Sequence, residues 1–559
     1  MGVTAHLAEL LSRAAHEGAD RVALVEAASG RRVTWGQLEA EVDRVARGLN
    51  ALGLVSGYRV VLALANRVEF VTTYLGARRA GLVAVPVNPR SVTGELVRLL
   101  VDCGARVVVT DATALTSTRQ AVAGLEDALT AADEELRRST VVPRVVVVSA
   151  PTVPGETTYE AMLAAAGTDA PVSGDPERLA ALLYTSGTSR RPRAAMLSHR
   201  ALLAGIEHAA AVEPPILTAD DVVLGVLPLF HVYGLNAVLG LAVRTRARLV
   251  LVDGFDLEES LRIVRDERVS VLPVAPPVCA HWQAVDDLAV RLGGVRLVLS
   301  GSAPLSRELV RAFTDRTGLE VHQGYGLTEA AAVVTSTLCS RRSARELAEA
   351  GSVGAALPGV EIRLVDDTGR PLVAGEHAGE DAEEDAGEDA GEVAVRGANL
   401  FSGYWPDGAD GPDADGWYAT GDVGFLDGDG DLVLVDRVED LVNVSGFSVY
   451  PSEVEDAIAD LDGVAEVAVI GIPDPRTGEA VVAFVVPVAG SGQDAGELEE
   501  RVRDHSAVRL ARFKRPTQVH VVDELPHTLI GKVAKGRLRA DQGGHQRTER
   551  RRTHAGLLE

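Results

Sequence analysis

Short β-branched runs alternate with amphipathic stretches along the first half of the chain. Arg59-Val-Val-Leu-Ala-Leu64, Leu82-Val-Ala-Val-Pro-Val87, Arg106-Val-Val-Val-Thr110 and Arg144-Val-Val-Val-Val148 are apolar with almost no alternation, as strands of a sheet covered on both faces are. Between them, Trp35 to Leu52 and Glu69 to Arg79 repeat apolar positions at helical spacing. The pattern returns in Val222-Val-Leu-Gly-Val-Leu227, Ala247-Arg-Leu-Val-Leu-Val252, Val269-Ser-Val-Leu272 and Val295-Arg-Leu-Val-Leu299, which predicts a second α/β layer. After Ala355 the helical periodicity fades. Val360-Glu-Ile-Arg-Leu-Val365, Gly391-Glu-Val-Ala-Val-Arg396 and Asp431-Leu-Val-Leu-Val435 predict a smaller β-rich subdomain.

Between the first two of these strands runs an acidic tract over 376–391, with almost nothing to bury and therefore the composition of a solvated loop. From Glu439 a compact unit follows, with helices over Ser452 to Asp460 and Glu497 to Leu510 and strands over Ala465 to Ile470 and Ala480 to Val486. The class predicted is α/β: a large amino-terminal domain over 1–438, made of two α/β sheet subdomains and a β-rich subdomain, then a small α+β domain over 439–540. A frayed tail over 541–559 carries the arginine cluster Arg547 to Arg552.

A chain of 559 residues exceeds what one core supports, in keeping with this division. The formal net charge of -25 argues against nucleic acid and against an electrostatically held membrane surface. It leaves room for an anionic nucleotide, since local N–H groups and a metal set the field inside a cleft. Cys103, Cys279 and Cys339 are scattered and odd in number, so the pattern suggests neither a disulfide framework nor a zinc site, and a reducing cytoplasm is the expected compartment. The amino terminus lacks a basic segment followed by an apolar core, and no later apolar run is long enough to span a bilayer.

Five short segments carry the chemistry: Tyr184-Thr-Ser-Gly-Thr-Ser189, Gln323-Gly-Tyr-Gly-Leu-Thr-Glu329, Gly416-Trp-Tyr-Ala-Thr-Gly-Asp422, Ser445-Gly-Phe-Ser-Val-Tyr450 and Gly531-Lys532. Each joins glycine, which lets backbone approach a ligand, to a hydroxyl, carboxylate or cation suited to a nucleotide and its metal. In this order they resemble the adenylate-forming superfamily of acyl-CoA synthetases, luciferases and peptide-synthetase adenylation domains. The resemblance runs from about Thr34 to Arg539 and is strongest to the acyl-CoA ligase branch.

That resemblance implies ATP, Mg²⁺ and CoA as cofactors and a carboxylic acid as substrate. Activating a carboxylate brings two anions together at the α-phosphorus, so charge must be neutralised and the reactants held in line. Thr185, Ser186, Gly187, Thr188 and Arg193 would form the phosphate loop; Gly301, Ser302 and Ala303 would wall the adenine and acyl sites. Gln323, Gly324, Tyr325, Gly326, Leu327 and Thr328 would line the nucleotide, with Tyr325 stacking on adenine and Thr328 on a phosphate. Glu329 would ligate Mg²⁺, a hard cation that takes oxygen. Asp422 would accept both ribose hydroxyls and Arg437 would donate to the ribose or α-phosphate. Lys532 would bridge carboxylate and α-phosphate as charge builds.

For the second half reaction the resemblance implies rotation of the carboxy-terminal domain about Glu439, so that Ser445 and Gly446 line a pantetheine tunnel and His231 shifts between two states. The chain departs from the family at Arg190 and Ala194, where glycine is usual, and at Arg193, where lysine is; the tract over 376–391 replaces a tight turn. If the loop needs positive φ, Arg190 would stiffen it.

The acid expected is a medium- or long-chain fatty acid. Leu227-Pro-Leu-Phe-His-Val-Tyr-Gly234 resembles the segment bordering the carboxylate and holds no aspartate for a substrate ammonium, and leaving one unpaired costs about 3–5 kcal/mol. Asn236-Ala-Val-Leu-Gly240 and Ala330-Ala-Ala-Val-Val-Thr335 are small and apolar, which suits an alkyl chain. Two alternatives share these motifs: an acyl-AMP ligase loading an acyl carrier protein, and a catalytically impaired nucleotide-binding homologue.

Overall fold

The helix Trp35–Ala51 shows how the pattern becomes structure. Thr34 accepts a hydrogen bond from the Gln37 N–H while the Gln37 side chain returns to the Thr34 N–H, a reciprocal cap of the kind that contributes about 1 kcal/mol. Leu38, Val42, Val45 and Leu49, spaced three and four apart, are completely buried. In the computed structural model the described residues are 8–130, 134, 137, 141–167, 174–185, 192–301, 305–366, 368–372, 390–437, 440–444, 447–474, 477–488, 494–510, 512–527 and 533–539. By contacts the chain divides into two units, Met1–Glu361 with Val395–Tyr418, and Ile362–Ala394 with Ala419–Glu559.

The first unit holds two large sheets. One has seven strands in the order Thr157–Thr158, Arg144–Val148, Val107–Asp111, Arg59–Ala63, Val83–Pro86, Leu179–Thr185 and Arg193–Ser198. Every neighbouring pair is parallel except the last, an antiparallel hairpin. Helices Val68–Arg79 and Thr93–Cys103 accompany its strands, and the apolar cluster around Val61, Val85, Leu96, Leu100 and Val108 fills the space under them.

The other sheet has nine strands, with a parallel centre of Leu297–Ser300, Val271–Val274, Val222–Gly225, Arg248–Leu251 and Val22–Glu26. Its core gathers Trp282, Phe313, Leu272 and Val298, all with no exposed surface. Val321–Leu327 extends the parallel centre beside Leu297–Ser300, and antiparallel strands close both edges: Arg32–Thr34 on one side, and Ala332–Ser336 followed by Ala355–Ala356 on the other. Asn66 joins the two sheets: its amide donates to the carbonyls of Gly225, Leu227 and Val252 at 3.1, 2.8 and 3.1 Å, and its oxygen accepts from the Leu229 N–H at 2.9 Å. The segment leading to His231 is thereby held from the far sheet.

Four further strands, Val360–Val365, Gly391–Gly397, Trp417–Leu426 and Leu432–Arg437, form the β-rich sheet expected after Ala355. The carboxy-terminal part of the second unit is a five-stranded sheet built on the long hairpin Val464–Asp474 and Gly478–Pro487. Helices Pro451–Ala459 and Ala495–Arg509 cover it, burying Val454, Ile458, Leu498 and Val502 against Val469 and Val485. Most of the acidic tract, 376–389, lies outside the described residues, as does the tail after 539.

Candidate active site

The phosphate-loop segment begins on the hairpin of Leu179–Thr185 and Arg193–Ser198 that edges the seven-stranded sheet. Thr185 pairs with Arg193 and Tyr184 with Ala194. Ser186, Gly187 and Thr188, with Arg190, lie outside the described residues. Ala194 is a ladder residue, buried, and not among those with positive φ. Extended backbone accepts a Cβ, so alanine fits at 194; the stiffening expected at Arg190 falls outside the described residues.

Residues 401–405 run beside this hairpin as an added strap. Ser402 N–H donates to the Met196 carbonyl at 2.9 Å, Met196 N–H to Gly403 at 3.0 Å, and Trp405 N–H to Ala194 at 2.9 Å. At its other end the Phe401 N–H donates to the Glu329 carbonyl at 2.8 Å. The strap therefore carries Tyr404 between the phosphate hairpin and the acidic motif. The Tyr404 hydroxyl donates to Glu329 Oε1 at 2.5 Å. On the ring face, the Arg193 guanidinium carbon stands 3.7 Å from the centroid, and Arg193 Nη2 reaches Asp410 Oδ2 at 2.6 Å. Phe401 packs edge-on to both Tyr404 and Tyr418, each with centroids 5.0 Å apart. Burial, with Glu329 alongside, pushes the Tyr404 phenol well above its ordinary pKa, so it stays a proton donor.

Glu329 sits in a single 3₁₀ turn, Thr328–Ala330, at the end of the strand Val321–Leu327. The turn is tight: Ala331 and Ala332 have φ of 52° and 116°, and a Cβ on Gly326 would lie 1.7 Å from the Ala332 carbonyl oxygen. Glycine at 326 is thus a packing requirement. Gln323 pairs with Ser300 and its N–H donates to Thr337 Oγ1 at 3.0 Å. Tyr325 is almost fully buried beside this edge. Gly301 is where the neighbouring strand comes close, since a Cβ there would lie 3.2 Å from the Tyr233 ring and 3.6 Å from the Gly324 carbonyl oxygen. Ser302 and Ala303 are outside the described residues.

His231 opens an irregular helix. Its Nδ1 accepts from the Tyr233 N–H at 3.3 Å, which puts a neutral ring's proton on Nε2. Tyr233–Gly240 then winds as a π-helix, with the wide turns often found at functional sites. Asn236, buried in it, donates to the Leu202 and Ala331 carbonyls at 3.1 and 2.8 Å, which locks the two predicted acyl-site stretches together.

In the second unit, Asp422 is nearly buried and pairs directly with Arg437 across an antiparallel ladder. Its N–H donates to Thr420 Oγ1 at 3.1 Å. Ser445, Gly446 and Lys532 are outside the described residues. The segment holding Lys532 is bracketed by a bridge between His527 and Val533, and just beyond it Lys535 pairs with Glu455 at 2.8 Å.

The structure thus brings together Thr185, Arg193, Thr328 and Glu329 in one unit and Asp422 with Arg437 in the other. Tyr404, Asp410 and Asn66 were missed by sequence reasoning. For Tyr404 only the Gly403-Tyr-Trp-Pro406 run hinted at a special segment, and nothing local tied it to Glu329.

A model of AMP-binding enzymes matches residues 11–405, and one of the AMP-binding enzyme carboxy-terminal domain matches 453–532. The chain belongs to this family. It is an adenylate-forming protein, and its relatives include acid–CoA ligases. It is 34% identical over 552 residues to 4-coumarate–CoA ligase-like 9 of Oryza sativa subsp. japonica, covering 96% of this chain and 92% of that one. It is also similar to ATP-bound MatB from Rhodopseudomonas palustris, at TM-score 0.81 and 31% identity, covering 96% of this chain and 98% of the other. The anthranilate CoA ligase AuaEII in complex with anthranoyl-AMP aligns at TM-score 0.80 and 26% identity over 97% and 98%. ATP, Mg²⁺ and CoA are the cofactors of the adenylate-forming CoA ligases. No described helix is long and apolar enough to cross a membrane.

The site fits Mg²⁺. Among the described residues no group of three or more His, Cys, Asp or Glu converges, so no all-protein cage is offered. Glu329 supplies a hard oxygen, which suits a cation that takes most of its shell from phosphates and water.

Proposed function

We propose that this chain is an AMP-forming acid–CoA ligase whose acid is aromatic, of the arylpropenoic or benzoic type, rather than a fatty acid. One observation carries the adenylation chemistry: a phosphate-loop cation, Arg193, and a hard anionic oxygen, Glu329, are set on the face and hydroxyl of one phenol. The aromatic acid is supported by what the relatives act on, by their names, and by the acyl-side wall. Asn236 fastens the π-helix to Ala331, and the Tyr233 ring lies against Gly301, so the wall is rigid and includes an aromatic face. A flat acid with few rotors matches such a wall better than a long alkyl chain, which needs depth. The small apolar run Ala330 to Val334 keeps a short fatty acid as the second reading.

In this reading Arg193 and Thr185 take the departing phosphates, and Thr328 meets a phosphate oxygen. Glu329 would hold Mg²⁺, whose charge, when bound, offsets the negative charge between phosphates. Asp422 takes the ribose, and Arg437 donates to the ribose or α-phosphate. Lys532 meets the carboxylate oxygen as it attacks the α-phosphorus and pyrophosphate leaves. Thiol attack on the acyl carbonyl then expels AMP, with Ser445 and Gly446 along the pantetheine path, His231 at the carboxylate and the domain over 439–540 turning about Glu439.

AMP release measured with CoA over 4-coumarate, benzoate, anthranilate, octanoate and palmitate tests this. The aromatic acids are expected to turn over with the highest kcat/KM. Preference for octanoate or palmitate would replace the aromatic reading, and ATP binding without any acid-dependent pyrophosphate exchange would overturn the ligase. Transfer to a carrier-protein pantetheine in place of CoA would move it to the carrier-loading class.

A further inference from the structure

A carboxylate that must accept a metal has to present a lone pair in a fixed direction, which requires a partner on its other lone pairs that does not cancel its charge. Glu329 meets that condition. Among the described residues its side chain has one hydrogen-bond partner, the Tyr404 hydroxyl, at 2.5 Å to Oε1. A phenol that donates without carrying charge orients the carboxylate and leaves the negative charge and Oε2 available. The phenol is itself held. The strap under it is bonded into the phosphate hairpin through Met196 and Ala194, Phe401 packs on its edge, and Arg193 covers its face while Asp410 holds the guanidinium.

We propose that Tyr404 is a positioning residue for metal binding: it aims Glu329, and through Arg193 on its ring it sets the spacing between the metal ligand and the phosphate-loop cation. This rests on the reading of Glu329 as the Mg²⁺ ligand. Tyr404 touches neither nucleotide nor acid in this assignment. Its effect is on how tightly the metal is taken up in the presence of ATP.

Tyr404→Phe keeps the ring and its stack and removes only the hydroxyl, so the strap and the Arg193 contact survive. Mn²⁺ binding to the ATP complex, followed by electron paramagnetic resonance, is the direct readout, and the Mg²⁺ dependence of acid-driven pyrophosphate exchange is the second. Loss of an outer partner of a metal ligand weakens metal affinity by roughly 10-fold or more. Tyr404→Phe is expected to weaken Mn²⁺ by about that factor, and to raise the Mg²⁺ concentration for half-maximal exchange in parallel, with the deficit recovered at saturating metal. Unchanged Mn²⁺ affinity in Tyr404→Phe while Glu329→Gln loses it would overturn the proposal. Unchanged Mn²⁺ affinity in Glu329→Gln would instead remove the metal reading on which it rests. Thermal melting of both variants completes the test, because a fall in Tm without a change in metal affinity would make the hydroxyl merely structural.

Discussion

Two carboxylates of the first unit, Asp221 and Glu329, are equally hidden from solvent, at 5% and 8% exposure, and are treated in opposite ways. Asp221 is closed on every side: Arg296 grips both oxygens at 2.8 and 2.7 Å, the Thr218 N–H and hydroxyl donate at 2.7 and 2.9 Å, and Ser270 donates at 2.8 Å. Burial pushes its pKa up, but Arg296 and these donors outweigh that and hold it down at about 2. Glu329 is answered by a neutral phenol alone among the described residues. A structural carboxylate is neutralised where it sits. In the proposed reading Glu329 is instead oriented for a metal by a partner that carries no charge.

The largest separation between the two comes from neutralising each in turn. Glu329→Gln is expected to cut acid-dependent pyrophosphate exchange by about a hundredfold or more while leaving the Tm close to that of the parent, because the phenol can donate to an amide oxygen as well. A Tm loss matching the activity loss would erase the distinction.

Asp221→Asn should do the reverse. It leaves Arg296 without its bidentate partner, but that guanidinium is 42% exposed, so the cost sits below the range for fully buried pairs, at about 2 kcal/mol of unfolding free energy from denaturant titration, with kcat per folded molecule unchanged. The sign of the pH effect follows from the depressed pKa. The Asp221 contribution is fully present above about pH 4 and drains away as pH falls toward about 2, since the unfolded state takes up the proton first. The stability gap between parent and Asp221→Asn should therefore be flat from pH 7 to 5 and narrow below 4. A gap that widened on acidification would contradict the pairing geometry.

The same contrast explains what could be seen in the sequence. Arg144–Val148 and Val360–Val365 have the limits that the apolar runs predict, and Trp35–Ala51 is within a residue, because burial on one or both faces writes itself into local periodicity. The motifs around Glu329 and Asp422 stand out in the sequence in the same way, since each sets glycines and polar side chains at short spacing. Partnership across the chain was not. Val22–Glu26 pairs with Arg248–Leu251, Asn66 reaches Leu227, and Tyr404 reaches Glu329; nothing in the short-range pattern states such meetings. The π-helix Tyr233–Gly240 was also hidden, because a run in which Asn236 is the one amide among apolar and glycine residues looks alike at 3.6 and wider periods.

The smallest expected effect is at Arg193, where the chain has a planar fork in place of the family's lysine. The plane lets one guanidinium stack on Tyr404 and bond Asp410 at once, which a compact ammonium on a flexible stem cannot match. Arg193→Lys retains the charge for phosphates, so what it loses is the stack, about 0.5–1 kcal/mol for a contact at a partly exposed site. That corresponds to a rise of roughly two- to fivefold in the KM for ATP, with kcat nearly constant. Combined with Tyr404→Phe, which keeps the ring, the two effects should add. A Lys variant that instead bound ATP more tightly would mean that Asp410 and Tyr404 hold the cation away from the phosphates, and the contrast between a closed structural carboxylate and an open functional one would have to be redrawn with Arg193 on the closed side.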